Sequence, residues 1–332
     1  METRSFIAMG GSVGSVAAIR QLLAELPAGF NPTIFIAVHV GARGNNLLSD
    51  IFAEHAPIPV TTAIDGEPIE RGHAYVAPAD RHLIISRGSI RLGNGPRENL
   101  ARPAIDPLFR SVGVAYGSKA IGLVLSGLLN DGAAGLADLK RCGGIAVVQN
   151  PADAEAPDMP FGALAATDVD YRAPLADLPA LLVKLAAEPA GPSPPVPDDI
   201  KLEIDIALGR QSGTNAIAEI AEAVPLSCPS CGGVLSQIKS SPPLRFRCQV
   251  GHAFTSDVLA SREDESITGA IRMALRVIEE RITLSEKMAE DARQSGRTAA
   301  ATANERRAEE SRGYADILRR GLAEGFSAPV SR

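Results

Sequence analysis

A serine lies at the centre of the first motif whose residue types could do chemistry. Gly10-Gly11-Ser12-Val13-Gly14 fits the pattern G-x-S-x-G and stands between a predicted strand, 6–9, and a predicted helix, 16–26. A serine on such a turn projects its hydroxyl from the carboxyl edge of a sheet, where it can attack a carbonyl carbon. A phosphate-binding loop and a glycine-rich turn with an incidental serine are the alternatives that this motif alone leaves open.

A histidine and an aspartate follow two other predicted strands and could activate this serine. His39 comes directly after the apolar run 33–38, and Asp131 lies in the loop after the run 120–125. Because the carboxyl ends of parallel strands meet at one edge, we expect Ser12, His39 and Asp131 to act as nucleophile, general base and orienting carboxylate. The alternatives are a polar residue that ends a strand, for His39, and a helix N-cap, for Asp131.

A second group of residues has the spacing of metal ligands. Cys228 and Cys231 form a C-x2-C knuckle, and Cys248 and His252 follow sixteen residues later. Three thiolates and one imidazole predict a closed, tetrahedral, structural zinc site, because four protein ligands leave no open position for catalysis. A redox dithiol and three buried cysteines that never meet are the alternatives. We therefore expect one structural zinc and no cofactor for catalysis.

The elements that must position these side chains alternate between strand and helix over residues 1–187. Continuous apolar runs are typical of buried parallel strands, and segments of helical periodicity separate them. The predicted strands are 6–9, 33–38, 120–125 and 145–148, the predicted helices are 16–26, 45–54, 104–114 and 132–141, and 73–78 and 82–92 form a predicted β-excursion with a turn at Arg87-Gly88. The pattern predicts an α/β fold, a doubly wound, mainly parallel sheet with helices on both faces.

Composition changes after residue 187. We predict an α/β domain over 1–187, a proline-rich linker over 188–199, a module over 200–260 with a helical stretch (200–223) and the cysteines, and a helical hairpin over 261–332. Gln294-Ser295-Gly296 separates the two hairpin helices, and an apolar stripe from Ile267 to Leu284 needs a surface to cover it. Because the linker is short, we expect the C-terminal half to stay near Ser12 and modulate access to it.

Charge and hydropathy exclude several classes of function. The chain of 332 residues carries 33 Lys and Arg against 39 Asp and Glu, a net charge of −6, which argues against a general nucleic-acid binder. No apolar run approaches the roughly 20 residues that a membrane-spanning helix needs. The N-terminus has no signal-peptide layout. These observations predict a cytoplasmic protein without membrane insertion.

Further motifs accompany the serine turn along residues 5–187. They are Ala8-Met9-Gly10-Gly11-Ser12-Val13-Gly14, Val38-His39-Val40, Asp65-Gly66-Glu67, Gly72-His73-Ala74-Tyr75-Val76-Ala77-Pro78, Arg102-Pro103-Ala104-Ile105-Asp106, Leu125-Ser126-Gly127-Leu128-Leu129-Asn130-Asp131-Gly132-Ala133-Ala134-Gly135, Gln149-Asn150 and Met159-Pro160. In this order they give the segment a specific resemblance to the catalytic domain of the chemotaxis protein-glutamate methylesterase and glutamine deamidase family.

The resemblance implies a function and a set of roles. It implies a serine hydrolase that removes methyl esters from glutamate side chains on the cytoplasmic helices of methylated chemoreceptors or related signalling proteins. Deamidation of glutamine would use the same steps. Ser12 would be the nucleophile, His39 the base and Asp131 its orienting carboxylate, with an oxyanion held by backbone amides at Val13 and Leu128. A homo-oligomer is left open.

The sequence also departs from the family pattern. Val13 and Ser15 stand where the family usually has threonine and glycine, and Leu128 replaces a methionine whose backbone amide is the oxyanion donor. Arg102 and Asp106 match a family pattern, with a structural salt bridge as the alternative role. The serine motif begins at Gly10, so we expect no receiver domain ahead of it and no control by phosphorylation in this chain.

Two rival functions come from other classes. One is a non-catalytic signalling scaffold that retains the fold; the intact serine, histidine and aspartate argue against it. The other is an adaptor that uses its zinc module, with Lys239, Arg245 and Arg247 available to nucleic acid. The scarcity of aromatic residues, 4% of the chain, argues against stacking on bases.

Overall fold

The chain folds into two compact units, residues 1–258 and residues 259–332. The computed structural model describes residues 3–40, 47–86, 88–211, 213–240 and 242–324. Residues 200–258 belong to the same unit as the α/β sheet. The four-part division of the chain stays a prediction.

A parallel sheet lies at the centre of the first unit. Strands within residues 1–187 are β1 (Phe6–Gly11), β2 (Thr33–Val38), β3 (Val60–Thr62), β4 (Ala74–Val76), β5 (His82–Ser86), β6 (Ser89–Gly93), β7 (Ala120–Val124), β8 (Ile145–Gln149) and β9 (Tyr171–Ala173). Seven of them pair in the order β3-β4-β2-β1-β7-β8-β9, and every neighbouring pair is parallel. The order reverses direction at β1, so a crevice is expected at its carboxyl end.

Helices cover both faces of this sheet. They are α1 (Ser15–Ala24), α2 (Leu48–Ala53), α3 (Ile105–Tyr116), α4 (Ala133–Arg141), α5 (Asp158–Ala166) and α6 (Leu178–Ala187), with 3-10 turns at Gly117–Lys119, Pro151–Asp153 and Leu175–Asp177. Alternation along β1 sends Ile7 and Met9 into a core with α1 and α6, and Ala8 into a second core with α3, α4 and α5. The predicted fold class is confirmed.

The β-excursion differs from its prediction. Residues 74–76 form β4, which pairs in parallel with β2 inside the main sheet, so only β5 and β6 make a separate antiparallel hairpin. Its predicted turn includes Arg87, which lies outside the described residues, as do Asn45 and Asn46 of the predicted helix 45–54.

A small antiparallel sheet completes the first unit. After helices α7 (Asp198–Ala207) and α8 (Thr214–Ile220), the chain forms β10 (Ala221–Ser227), β11 (Val234–Ile238), β12 (Arg245–Cys248) and β13 (Ala253–Thr255), paired in that order. We call β10–β13 the ribbon sheet. The predicted single helical stretch 200–223 is wrong, because Gly209 and Gly213 take positive φ angles of 77° and 113° that end one helix before the next.

A cluster of buried charges joins the ribbon sheet and α7 to the α/β sheet. Its members are Glu98, Arg110 and Asp138 from one side, and Glu203, Arg245 and Arg247 from the other. Arg247 pairs with Glu203 at 2.7 Å and with Glu98 at 3.0 Å, and Arg110 pairs with Asp138 at 3.0 Å. Three cations balance three anions, which compensates the cost of burying them. Because Arg245 and Arg247 are buried here, they are not available to nucleic-acid phosphates.

We expect Glu203→Gln to destabilise the first unit by about 3–5 kcal/mol, because it leaves buried arginines without their compensating carboxylate. Asp199→Asn is the matched control: Asp199 pairs with Arg141 at 2.8 Å near the surface, where a pair contributes about 1 kcal/mol or less. Equilibrium unfolding in urea, followed by circular dichroism, measures both. Equal losses in the two variants would contradict a structural role for the cluster.

The second unit is an antiparallel helical hairpin, as predicted. Its helices are α9 (Ser256–Gln294), which starts in the first unit, and α10 (Thr298–Glu324). The pairs Glu279–Arg319, Glu286–Arg312 and Arg293–Glu305 step by seven residues in opposite directions along the two helices. The buried seam consists of small side chains: Ser285, Ala289, Ala292, Ala301, Ala308, Ser311 and Ala315.

The two ends of the apolar stripe of α9 lie outside this seam, whereas Ile271, Leu275, Ile278 and Ile282 between them are partly buried. Ile267 is 44% exposed and Leu284 is 60% exposed. Among the described residues, no helix is both long enough and apolar enough to cross a bilayer.

Candidate active site

Ser12 lies in a tightly fixed turn between β1 and α1. Its backbone N–H donates to the Ser126 carbonyl at 2.9 Å, and its own carbonyl accepts from Ser15 Oγ at 2.6 Å. Gly14 has a φ of 79°, which favours glycine, and a Cβ there would lie 2.7 Å from Glu155 Cβ. The Ser12 hydroxyl is half-buried and makes no hydrogen bond to any residue that the structure describes. Ser15 departs from the family pattern, but it stabilises the turn because its hydroxyl donates to the Ser12 carbonyl.

His39 and Asp131 are in direct contact at the same edge. Gly11 and Val38 are register partners, so Ser12 and His39 leave adjacent strands side by side, and the His39 N–H donates to the Gly11 carbonyl at 3.3 Å. His39 Nε2 lies 2.6 Å from Asp131 Oδ2. Because Nε2 faces the carboxylate, Nδ1 is the nitrogen left to take a proton. Serine proteases use the ring in the opposite sense, with Nδ1 towards aspartate.

Asp131 is a buried carboxylate surrounded by donors. Burial raises its pKa, but hydrogen bonds from His39, from the Ile105 N–H at 2.7 Å and from Asn99 Nδ2 at 2.9 Å outweigh burial and lower the pKa overall. Ile105 is the first residue of α3, whose N-terminal dipole also favours the negative charge. Asp131 therefore stays ionised at neutral pH and fixes the orientation of the His39 ring.

A second buried carboxyl lies beside Asp131. Burial, together with the charge of Asp131, raises the pKa of Asp106 to about 8, so this side chain is mainly neutral at pH 7. Its Oδ1 accepts from the Gly135 N–H at 2.6 Å. Arg102 does not pair with Asp106 or Asp131; it pairs with Asp80 at 2.9 Å. Arg102 therefore forms a salt bridge, which was the alternative to a role in the site. Asp106 lies beside the Asp131 carboxylate.

The two backbone amides predicted to bind an oxyanion flank Ser12. Val13 is 43% exposed and Leu128 is 53% exposed, and neither N–H donates to an acceptor within the described part of the chain. Gly127 lets the loop that contains Leu128 lie close to Ser12, because a Cβ at position 127 would be 3.0 Å from Ser12 Cβ and 1.9 Å from Met159 Sδ. Two free donors beside a serine hydroxyl suit a developing negative charge. Their role stays a prediction.

Two other histidines of the α/β domain make their hydrogen bonds outside the His39–Asp131 pair. His82 is buried between the Pro96 carbonyl and the Ala104 N–H, and His73 Nε2 bonds Thr61 Oγ1 at 2.8 Å near the amino end of β4. Asn99 donates to Asp131 but lies in no motif, so the sequence alone carries no signal for it.

The predicted metal ligands form a second cluster, in the ribbon sheet. One ligand atom from each of Cys228, Cys231, Cys248 and His252 lies within 4.8 Å of all the others. The Cys231 and Cys248 sulfurs are 3.7 Å apart, and Cys248 Sγ is 3.4 Å from His252 Nδ1. Tetrahedral zinc with bonds of about 2.3 Å to sulfur would hold sulfur ligands about 3.8 Å apart. The residues therefore fit a closed zinc site.

Comparison with known proteins decides the family. Residues 7–182 match the CheB methylesterase family. This chain belongs to the CheB methylesterase family. A Leptospira interrogans protein named as a protein-glutamate methylesterase/protein-glutamine glutaminase is 38% identical over 180 residues, 54% of this chain and 93% of the relative. A Yersinia pestis protein of the same name is 38% identical over 169 residues, 50% of this chain and 48% of the relative, so the chain matches about half of that protein.

A solved structure agrees with this CheB assignment. The crystal structure of the Thermotoga maritima CheB methylesterase catalytic domain superposes with a TM-score of 0.53 at 26% identity, covering 55% of this chain and 99% of that domain. The family resemblance and the methylesterase class predicted from the sequence are confirmed. The roles of the individual site residues and the zinc site stay predictions.

Proposed function

We propose that this chain is a serine hydrolase that cleaves methyl esters of glutamate side chains on the cytoplasmic helices of chemoreceptors or related signalling proteins. The observation that carries the proposal is the His39–Asp131 pair at 2.6 Å, placed at the carboxyl edge beside Ser12 in a chain of the CheB methylesterase family. Such a substrate places the protein in the cytoplasm.

Acylation follows from the geometry of the three side chains. In this proposal the Ser12 hydroxyl donates to His39 Nδ1, which takes the proton as Oγ attacks the ester carbonyl carbon. Asp131 stabilises the imidazolium that forms. The N–H groups of Val13 and Leu128 donate to the oxyanion of the tetrahedral intermediate. When this intermediate collapses, His39 returns the proton to the methoxy oxygen, and methanol leaves.

Deacylation repeats these steps with water. His39 takes a proton from a water molecule as its oxygen attacks the glutamyl-serine ester, and His39 then returns the proton to Ser12 Oγ as the bond to the glutamyl carbon breaks and glutamate leaves. A glutamine side chain would enter the same sequence with ammonia as leaving group, in line with the glutaminase part of the relatives' names.

Methanol release tests this proposal. The full chain is incubated with receptor fragments that carry methyl-esterified glutamates, and methanol and ammonia are measured separately. Methanol release with multiple turnovers supports the methylesterase, and ammonia release from unmodified fragments supports deamidation. A protein that binds the fragments and releases neither product would instead be the signalling scaffold.

We further propose that Cys228, Cys231, Cys248 and His252 hold one structural zinc ion. The spacing of the four ligand atoms supports this assignment. The backbone amide of Gly233 lowers the pKa of the Cys231 thiol, which favours the thiolate that zinc requires. Burial raises the pKa of Cys228 to about 12, so its thiolate needs a cation beside it.

Metal analysis of the purified chain is expected to give about one zinc ion per protein, because four ligands converge in the ribbon sheet. Cys231→Ser should lower this content to near zero. Cys142→Ala, at a buried cysteine outside the cluster, should leave it unchanged. Zinc-free protein with a ribbon sheet that is equally stable before and after chelation would refute the site.

A further inference from the structure

The ribbon sheet touches the residues that hold the Asp131 carboxylate. The Asn99 N–H donates to the Ala253 carbonyl at 2.8 Å, and the Thr255 N–H donates to Asn99 Oδ1 at 3.0 Å. Asn99 Nδ2 then donates to Asp131 Oδ1 at 2.9 Å and to Asp106 Oδ2 at 2.9 Å. One amide group thus links the backbone of β13 to the carboxylate that orients His39.

A second link runs to the residue before Asp131. The Thr255 hydroxyl donates to Asn130 Oδ1, and Asn130 Nδ2 donates to Asp257 Oδ2 at 2.6 Å. Asn130 lies in the same loop as Leu128, whose N–H faces the proposed oxyanion. Residues 253–257 therefore contact both loops that shape the site, one through Asn99 and one through Asn130.

Asparagine suits position 99 for two reasons. Its backbone φ is 49°, a left-handed conformation that asparagine tolerates better than most residues. Its amide also offers an acceptor to the Thr255 N–H and donors to two carboxyl groups, which a hydroxyl or a carboxylate cannot do together. Asn99 is 7% exposed and Thr255 is 1% exposed, so water does not replace these bonds freely.

The position of β13 is itself fixed by buried contacts. Glu98, next to Asn99, pairs with Arg247 of β12 at 3.0 Å. Arg247 also donates to the Gly251 carbonyl at 2.7 Å, in the turn that connects β12 with β13. Charge pairing and the Asn99 bonds therefore hold the same segment of the ribbon sheet against the site.

The geometry points to Asn99 as a positioning residue for the His39–Asp131 pair, oriented by residues 253–257 of the same chain. The contacts of this segment orient the Asp131 carboxylate towards the His39 ring. They therefore affect the rate of the chemical steps and leave substrate binding unchanged. This inference rests on the proposed hydrolase function. It assigns residues 253–257, at the end of the first unit, a role in catalysis that acts through the carboxylate and not through access to Ser12.

Two variants of the full chain test it. Asn99→Asp keeps the shape, the left-handed backbone and the acceptor for the Thr255 N–H, but it has no N–H to donate to Asp131. We expect kcat to fall about 100-fold, with KM within about threefold of the parent, because misplacement of a catalytic group lowers the rate and not the affinity. Asp257→Ala removes an exposed acceptor of Asn130 and should lower kcat about threefold to tenfold.

Controls separate positioning from stability and from the proposed function. Asp264→Ala, at an exposed acid two turns further along α9, should keep the parent kcat. The rate at which a fluorophosphonate labels Ser12 gives a readout independent of the substrate, and melting temperature gives the folded fraction. If Asn99→Asp does not fold, Asp257→Ala decides alone.

The outcomes separate clearly. A fall in both kcat and labelling rate in folded variants supports the inference. Parent-like kcat and labelling rates in folded Asn99→Asp and Asp257→Ala, or in Asp257→Ala alone where the first variant does not fold, overturn it. An unlabelled and inactive parent protein shows that the proposed function has failed, and the positioning role fails with it.

Discussion

Ser12→Ala is expected to abolish ester hydrolysis, with a fall in kcat on the order of 10⁶, as removal of the nucleophile does in serine proteases. No other hydroxyl is placed to substitute within the described residues, because Ser15 Oγ is engaged with the Ser12 carbonyl and Ser126 Oγ with the Val13 carbonyl. Alanine removes only Oγ, and the backbone bonds of the turn persist, so the variant should fold normally. Methanol release from a methyl-esterified receptor fragment measures the loss.

Ser295→Ala is the matched control for this experiment. Ser295 is an exposed serine between the two hairpin helices, and its loss should leave kcat unchanged. Fluorophosphonate should label the parent and the control once per chain, and should leave Ser12→Ala unlabelled. Parent-like methanol release by Ser12→Ala would exclude the serine mechanism.

Asp131→Asn is expected to lower kcat by about 10⁴, the cost of the equivalent change in a serine protease. The carboxylate accepts from His39, Asn99 and Ile105 with two oxygens. A carboxamide has one oxygen, so its NH₂ group must face at least one of these donors. If it faces His39, Nε2 becomes the acceptor and the hydrogen moves to Nδ1, which then cannot take the Ser12 proton.

The loss in Asp131→Asn should therefore lie in kcat. KM should change little, because Asp131 is buried and does not contact the substrate. Asp170→Asn is the control, since Asp170 also accepts from a backbone N–H, that of Ala146 at 2.8 Å, but lies near the edge strand β9. Steady-state kinetics with both variants compare the effects. A loss of similar size in Asp170→Asn would indicate general destabilisation and contradict the orienting role.

The sequence alone predicted the elements of the site because its signals are local. Apolar runs such as 33–38 mark buried parallel strands, and the position of Ser12, His39 and Asp131 just after such runs places them at one edge. The cysteine spacing predicted a cluster that the structure brings together, since a C-x2-C knuckle directs two sulfurs towards one point. The hairpin of α9 and α10 followed from helical periodicity interrupted at Gly296.

Local signals failed where the backbone changes direction without a change in hydropathy. Residues 200–223 have apolar residues at helical spacing. The helix nevertheless ends before Gly209, a second helix starts after Gly213, and β10 begins at Ala221. Residues 74–76 form a strand too short for a hydropathy pattern to assign to the main sheet. Pairing with β2 decided its place.

Contacts between segments far apart in the chain were decided by the tertiary structure only. The sequence gives no sign that Arg247 pairs with Glu98, that Asn99 joins Thr255 to Asp131, or that Nε2 of His39 faces the carboxylate. Each of these depends on packing between residues separated by 32 to 156 positions. The sequence therefore determined which groups can do the chemistry. The packing of β13 against the α/β sheet decided how the Asp131 carboxylate is held. Asp131 is buried, so it can form hydrogen bonds only with the partners that the fold supplies.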